Sequence, residues 1–266
     1  MAKTFLGTSG WSYDEWVGLV YPTRSTPKLK YYSSIFSTAE IDSTFYASPK
    51  QDMIQGWIRN TPPGFKFSLK LPQLMTHKKR LENIEDDTAQ FLDLIKPMSD
   101  SGKLGAVLVQ LPPSFTKKSA KTLENFFQLL SPSFSYAVEF RDKSWEEKDT
   151  FKLLERYRIS SVITDSPLEL TAELTTDWAF VRYHGRGQKI WYDYKYSEQE
   201  ISMLAKKLQG IQEKTSVVYG YFNNHYGGNA VENTLQLIQM TGNLSSNQLE
   251  LLNRFKMKTK DLDSFV

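Results

Sequence analysis

The stretch Ala106-Val107-Leu108-Val109-Gln110-Leu111 runs into Pro112-Pro113, is followed by Leu123, Phe126, Phe127 and Leu130, and then by Tyr136-Ala137-Val138-Glu139-Phe140. The first run is short, apolar and closed by proline, which is how a strand buried on both faces reads. The residues after it fall at i, i+3, i+4 and i+7, one stripe of an amphipathic helix. The last run is again a strand. Strand, crossover helix and strand in so short a span define a βαβ unit and a parallel sheet.

The same alternation extends in both directions. Thr4 to Thr8, Thr38 to Ile41 and Lys66 to Leu71 precede the unit, and Ser161 to Thr164, Ala179 to His184 and Val217 to Phe222 follow it. These make about eight strands, the number that closes a (β/α)8 barrel at roughly 250 residues. Helix signals lie between them. Ser48-Pro49 reads as an N-cap and first helical proline ahead of the stripe Met53, Ile54, Trp57 and Ile58. Ser197 to Glu200 reads as a capping box ahead of Ile201, Leu204, Ala205 and Leu208, and Phe91, Leu94, Ile95 and Met98 form another stripe. No linker or repeat interrupts the pattern. The expected fold is therefore an α/β, TIM-like (β/α)8 barrel in a single domain over 1–266, with a C-terminal helical extension from about residue 243. Leu249, Leu252 and Phe255 are its apolar stripe, set to cover the outside of the barrel, and the polar stretch Lys256 to Ser264 is expected to fray at its end.

Composition narrows the function classes. The chain has 266 residues, 33 basic against 30 acidic side chains and 40% hydrophobic residues, a balance that excludes intrinsic disorder. No apolar run reaches the about 18 residues of a membrane span. The opening Met1-Ala2-Lys3-Thr4-Phe5-Leu6-Gly7 lacks the apolar core of a secretory signal, so a cytoplasmic location is expected. With 0 cysteines there is no disulfide, thiolate metal site or cysteine nucleophile. A formal charge of +3 is a weak start for nucleic-acid binding.

In such a barrel, reactive groups stand at the C-terminal ends of strands. Strand parity places Glu40 with Asp42, Ser68 with Lys70, Glu139 with Arg141, and Arg182 with His184 on one side each, away from Ile41, Leu69, Phe140 and Tyr183. Gln110, Asp165 and Asn223 complete a ring, and Trp11 closes the first strand's Gly7-Thr8-Ser9-Gly10-Trp11. A mutually neutralising structural network would account for the charges. Yet burying so many near a barrel axis costs several kcal/mol per ion unless each is paired, and structure alone is served by Val, Ile and Leu. The pattern points to a preorganised polar site in which cations hold an anionic or polyhydroxyl ligand and a carboxylate or His184 moves protons.

His77, His184 and His225 all fall near strand ends, although His77 with Lys78, Lys79 and Arg80 also reads as a solvated loop. No His-x-x-x-His spacing occurs, and Glu40, Asp42, Glu139 and Asp165 are scattered, so an obligate metal is not expected, and the sequence leaves the cofactor open. Aromatics gather in the loops: Trp11, Tyr13, Trp16, Tyr21, Trp145, Trp191, Tyr192, Tyr194, Tyr196 and Tyr226. They suit either stacking on a ligand or packing of the loops. Asn223-Asn224-His225-Tyr226-Gly227-Gly228-Asn229 precedes a helix and offers backbone donors to an anion.

Several of these blocks carry a family resemblance. Gly7-Thr8-Ser9-Gly10-Trp11-Ser12-Tyr13, Glu40-Ile41-Asp42-Ser43-Thr44-Phe45-Tyr46, Gln110-Leu111-Pro112-Pro113-Ser114-Phe115, Glu139-Phe140-Arg141 and Arg182-Tyr183-His184-Gly185-Arg186 resemble the signature blocks of the YecE-like family, domain of unknown function 72. Thr76-His77 and Phe222-Asn223-Asn224 resemble it too. The resemblance implies a TIM-barrel-like fold without an established reaction. Asp142 stands where that family often has His, so no imidazole is implied there.

The expected activity is acid/base chemistry on a small anionic (phosphorylated or carboxylated) or sugar-like substrate, by a hydrolase, isomerase or lyase. Glu40, Glu139 and His184 are the candidate catalytic residues. Trp11, Asp42, Lys70, Gln110, Arg141, Asp165, Arg182, Asn223 and Asn224 are the candidate substrate-binding ones. A Lys70 Schiff base and a simple charged Lys70 both remain open. The alternatives are a nucleic-acid binding or processing protein, using Lys78, Lys79 and Arg80, and a non-catalytic binding barrel. No membrane partner is expected, and the sequence leaves the oligomeric state open.

Overall fold

A computed structural model describes residues 2–263. Nine strand segments alternate with helices: β1 (Lys3–Thr8), β2 (Thr38–Ile41), β3 (Lys66–Lys70), β4 (Leu104–Gln110), β5 (Tyr136–Glu139), β6 (Ser160–Ser161), β7 (Ile163–Asp165), β8 (Trp178–Tyr183) and β9 (Val217–Phe222). All pairings are parallel, in two arcs ordered β2-β3-β4-β5-β6 and β1-β9-β8-β7. The arcs meet at two seams. At the first, β6 and β7 are one stave interrupted at Val162, whose N–H still donates to Val138 O at 3.0 Å before Ile163 to Asp165 pair with β8. At the second, Ser9 bridges Glu40 and the Gly10 N–H donates to Glu40 O at 2.8 Å. The result is a closed, eight-staved TIM-like barrel, the fold class that the strand pattern implies.

The second seam shows why the sheet splits there. Instead of an unbroken ladder, the buried Tyr32 hydroxyl accepts from the Thr8 N–H at 2.8 Å and donates to Thr38 O at 3.1 Å. Gly7 makes room for this: a Cβ on it would lie 2.3 Å from Thr38 O and 2.9 Å from the Tyr32 hydroxyl.

Helices α1 (Lys28–Tyr32), α2 (Ser43–Tyr46), α3 (Gln51–Arg59), α4 (Glu85–Asp100), α5 (Ala120–Gln128), α6 (Lys148–Arg156), α7 (Glu198–Gln212), α8 (Asn229–Thr241) and α9 (Ser246–Asp263) pack outside the strands. The capping box at Ser197 and Glu200 forms, and Ile201, Leu204, Ala205 and Leu208 are all buried. The start expected at Ser48-Pro49 is corrected: Ala47 and Lys50 are extended, so α3 begins only at Gln51, without a side-chain cap. Met53 points outward, while Ile54 and Trp57 carry the contact. Leu251, Leu252 and Phe255 of α9 are buried, Leu249 is exposed, and Gln248 and Arg254 bond to Ile35 O and the Tyr31 hydroxyl. Ser264, the end of the stretch expected to fray, lies outside the described residues. Among the described residues no helix is long and apolar enough to cross a membrane.

Inside the barrel, strand parity stacks layers of different polarity. Phe5, Leu108, Ala137, Phe180 and Tyr219 belong to an apolar interior. Above it, the buried Tyr221 hydroxyl bonds to Thr38 Oγ1 and Ser68 Oγ at 2.8 Å each. Two residues further along the same staves come Glu40, Lys70, Glu139, Arg182 and Asn223. Burial thus passes from carbon to hydroxyl to charge towards the C-terminal ends.

Gly7→Ala is expected to destabilise the fold by about 1 to 3 kcal/mol through overpacking at the second seam, read as a lower urea midpoint with an unchanged m value.

Candidate functional site

The charged layer is organised by Arg182, whose side chain is 1% exposed. Its NH1 donates to Glu139 Oε2 at 2.8 Å and its NH2 to Glu40 Oε1 at 2.6 Å, with Asp42 Oδ1 at 3.5 Å. Glu40 Oε1 also accepts from Ser9 Oγ at 2.6 Å. The second oxygen of Glu139 receives Arg141 NH2 in a short ion pair and stands 3.2 Å from His184 Nε2. Asn223 Nδ2 lies 3.2 Å from His184 Nδ1. Arg141 NH2 lies 3.1 Å from the same Nε2, so that nitrogen can donate to Glu139 or accept from Arg141, and Asn223 serves the other ring nitrogen.

Electrostatics divide these groups into fixed ions and proton carriers. Burial opposes the charge of Glu139, but Arg141 and Arg182 override it and hold the carboxyl well below its usual range. Glu139 is therefore an orienting anion and a poor proton donor. Burial pushes Glu40 up, and Arg182 offsets only part of that. Burial likewise works against Asp42, yet the Lys70 and Arg182 charges keep it low. Burial brings His184 down to about 4, with Glu139 only partly restoring it, so the imidazole is neutral near pH 7. Burial also lowers Lys70, against the pull of Asp42.

Above this layer opens a cavity of about 760 Å³. Asp42, Lys70, Gln110, Arg141, His184 and Asn223 reach it, whereas Glu40, Glu139 and Arg182 lie beneath its floor. Its walls and mouth are largely aromatic: Tyr13, Phe45, Tyr46, Trp191 and Tyr192. The Arg141 guanidinium carbon sits 5.2 Å from the Trp191 ring centre. His77 enters from a π-helical turn at Leu74–Lys78, and Gln73, Lys189, Ile190 and His225 complete the lining.

Trp11, Asp165 and Asn224, expected to bind substrate, are not brought to this cavity. Trp11 turns onto Trp57 and Phe67. Asp165 accepts from Arg186 at 2.7 and 3.1 Å and from the Tyr196 hydroxyl at 2.8 Å, tying down the loop after β8. Asn224 is buried and donates to Tyr194 O and Asn233 Oδ1. Parity explains two of these: Val162 and Asn223 face inward, so Asp165 and Asn224, an odd number of residues away, face outward. Of the loop aromatics, Trp16, Tyr21, Trp145 and Tyr196 are buried packing residues, while Tyr13, Trp191 and Tyr192 line the cavity. Phe45, Tyr46, Gln73, Lys189 and Ile190 are not among the binding residues expected from sequence, since loops and the single turn of α2 carry no period that says where a side chain points. Asp142, in place of an imidazole, caps the turn at Lys143–Trp145 through the Ser144 N–H. Among the described residues no cluster of three His, Asp or Glu side chains is arranged as metal ligands.

Fold and site together define a (β/α)8-barrel protein with a charged cavity at the carboxyl ends of its strands. The chain belongs to the DUF72 family, described as a protein of unknown function, whose model matches residues 5–256. It is 30% identical to UPF0759 protein YunF of Bacillus subtilis, over 93% of this chain and 99% of that one. It is 29% identical to UPF0759 protein YecE of Escherichia coli K12, over 61% and 59%. Among solved structures it resembles a DUF72 family protein of Thermotoga maritima, with a TM-score of 0.77, 32% identity and coverage of 90% and 98%. A DUF72 family protein of Enterococcus faecalis gives a TM-score of 0.79 at 26% identity, covering 91% and 96%. A GH18 chitinase of Pseudoalteromonas aurantia shares the fold alone, with a TM-score of 0.52 at 12% identity over 90% of this chain and 100% of that one.

Glu139→Gln leaves two guanidiniums underpaired, and a loss of about 3 to 5 kcal/mol in unfolding free energy is expected. Denaturant titration checks it, and an unchanged midpoint contradicts the bracing role. For His184 the folded pKa lies below the unfolded one, so its contribution to stability is complete above pH 6.5 and is lost as the pH falls towards 4. That loss amounts to roughly 3 kcal/mol over the window. The difference between wild-type and His184→Gln stability curves isolates the imidazole, and it should carry this slope.

Proposed function

We propose that the protein is an enzyme that carries out acid/base chemistry on a small anionic, sugar-like substrate bound in the cavity. The observation that carries this reading is the convergence of Arg141, Lys70 and the neutral His184 on one cavity of about 760 Å³. Arg141 is oriented from below by Glu139 and flanked by Trp191. A guanidinium held in that way suits a carboxylate or phosphate. Gln110, Gln73 and Asn223 supply amides for hydroxyl groups, and the aromatic walls suit the apolar face of a sugar ring.

Proton transfer falls to the groups that reach the cavity. His184 is neutral and braced at both nitrogens by Glu139 and Asn223, and Asp42 is a half-buried carboxylate beside Lys70. Glu40 and Glu139 act through the residues they hold. The nucleic-acid reading has less behind it, because Lys79 of the Lys78 to Arg80 run is neutralised by Asp87, although Arg80 keeps its charge on the neutral Ser114.

Arg141→Gln is expected to weaken binding of phosphate and of phosphorylated or carboxylated sugars about ten- to hundred-fold, the equivalent of one charged hydrogen bond. Calorimetric titration beside the wild type is the check, and equal affinities contradict the assignment.

A further inference from the structure

Two lysines near the barrel interior are buried to the same degree and treated in opposite ways. Lys103, at the amino end of β4, is 7% exposed, and its Nζ donates to Ile58 O at 2.7 Å, Thr61 O at 2.6 Å and Thr61 Oγ1 at 2.8 Å. All three ammonium protons are satisfied, as a structural lysine requires. Lys70, at the carboxyl end of β3, is 8% exposed, and among the described residues its Nζ has no hydrogen-bond partner. Its neighbours are Asp42 Oδ1 at 3.7 Å and the Phe45 ring centre at 4.0 Å, and its remaining side opens on the cavity. With Asp42 as its one nearby carboxylate, at 3.7 Å, and the Phe45 ring on another side, this ammonium is partly desolvated, and desolvation beside other cations is what activates a lysine as a nucleophile.

We infer that Lys70 is a covalent nucleophile whose amine condenses with the aldehyde or ketone carbon of a small anionic substrate held by Arg141. This deepens the proposed function and rests on it for the location of the anionic group. The groups facing Lys70 set its proton: Asp42 of the β2 end, Glu139 of β5 and Glu40 of β2 favour the ammonium, while burial and Arg182 of β8 oppose it, and the opposition prevails. Asp42 takes a proton from the ammonium. The freed lone pair attacks the carbonyl carbon, the C–N bond forms, and the carbonyl π electrons move to oxygen, which takes that proton back to give a carbinolamine. A second proton passes from nitrogen through Asp42 to the hydroxyl, which leaves as water as the C=N bond forms. The protonated Schiff base carries the single positive charge of the original ammonium, so charge and atoms balance and no redox partner enters. The iminium keeps Asp42 as its counterion and withdraws electrons from the adjacent substrate carbon, where His184 and Asp42 are the cavity's proton carriers.

The test is reductive trapping on the unaltered protein. The full chain is incubated at pH 7 with glyceraldehyde 3-phosphate and sodium cyanoborohydride, and the lysines modified are mapped by peptide mass spectrometry over time. Lys70 is expected to react about tenfold faster than exposed lysines such as Lys50 and Lys118, because the cavity holds the phosphorylated aldehyde beside its amine. Excess inorganic phosphate should slow Lys70 and leave the exposed lysines unchanged. Lys70→Arg, which keeps the charge beside Asp42, should lose the fast adduct. Labelling of exposed lysines with Lys70 unmodified overturns the inference, whatever the variant does. Phosphate binding without a Lys70 adduct overturns the nucleophile and leaves the anion site standing. A fast Lys70 adduct that phosphate neither slows nor competes with supports the nucleophile and removes the anion site on which the proposed function rests.

Discussion

The ion pairs of Arg182 are the constraint on which the site depends. This guanidinium leaves β8, in one arc of the barrel, and reaches Glu139 on β5 and Glu40 on β2, both in the other. The two arcs share little backbone pairing at their seams, so side chains crossing the interior help to hold the barrel closed. The hydroxyl layer below repeats the pattern, with Tyr221 of β9 bonded to Thr38 of β2 and Ser68 of β3. A buried guanidinium is tolerated only where its donors are matched by carboxylates. Once Glu139 Oε2 is committed to Arg182, the position of Oε1 is set, and Oε1 in turn locates Arg141 and His184 at the cavity floor.

The charge of this layer bears on what it can hold. Glu40, Asp42 and Glu139 face Lys70, Arg141 and Arg182, so with every group ionised and His184 neutral the set is balanced. Glu40 is the member that burial pushes towards its protonated form. A proton there leaves an excess of one positive charge. Of the charged groups that reach the cavity, Arg141 stands above its counterion Glu139, which is sealed below with Glu40, and Lys70 shares the cavity with Asp42, so two cations meet one carboxylate there. The field at the floor is therefore more positive than the composition of the layer suggests, which supports an anionic ligand over a cationic one.

The barrel and the charged layer were legible because strand periodicity is strict. Glu40 with Asp42 and Glu139 with Arg141 were placed by counting in twos from apolar neighbours. The same count, begun from Val162 and Asn223, would have turned Asp165 and Asn224 outward, so these two failures came from reading proximity to a strand end in place of parity. Which carboxylates would be sealed was not legible: depth depends on how high each residue sits on its stave, and that follows from barrel register. Gln73 and Lys189 lie in loops whose course is decided by packing, and Phe45 lies in α2, a single turn too short to show a helical period.

Floor and roof of the cavity are held by different physics. The floor is a set of buried ion pairs in which every group constrains the next, so a change at one member propagates through the rest. The roof is the loop after β8, which brings Lys189, Ile190, Trp191 and Tyr192 over the cavity. Gly185, at φ +83°, lets this loop double back, since a Cβ there would lie 2.4 Å from Trp191 O. Stacked rings complete the attachment: Tyr192 lies on His225 at 5.3 Å, and His225 lies on Tyr13 at 4.4 Å. Ring stacking contributes about 0.5 to 1.5 kcal/mol per pair, far less than the several kcal/mol at stake when a buried ion loses its partner. Apart from Trp191, which lies against Arg141, the roof can therefore change its side chains without disturbing Arg141, His184 or Lys70. On the proposed function, selection of a ligand's outer part is separable from the groups beneath it.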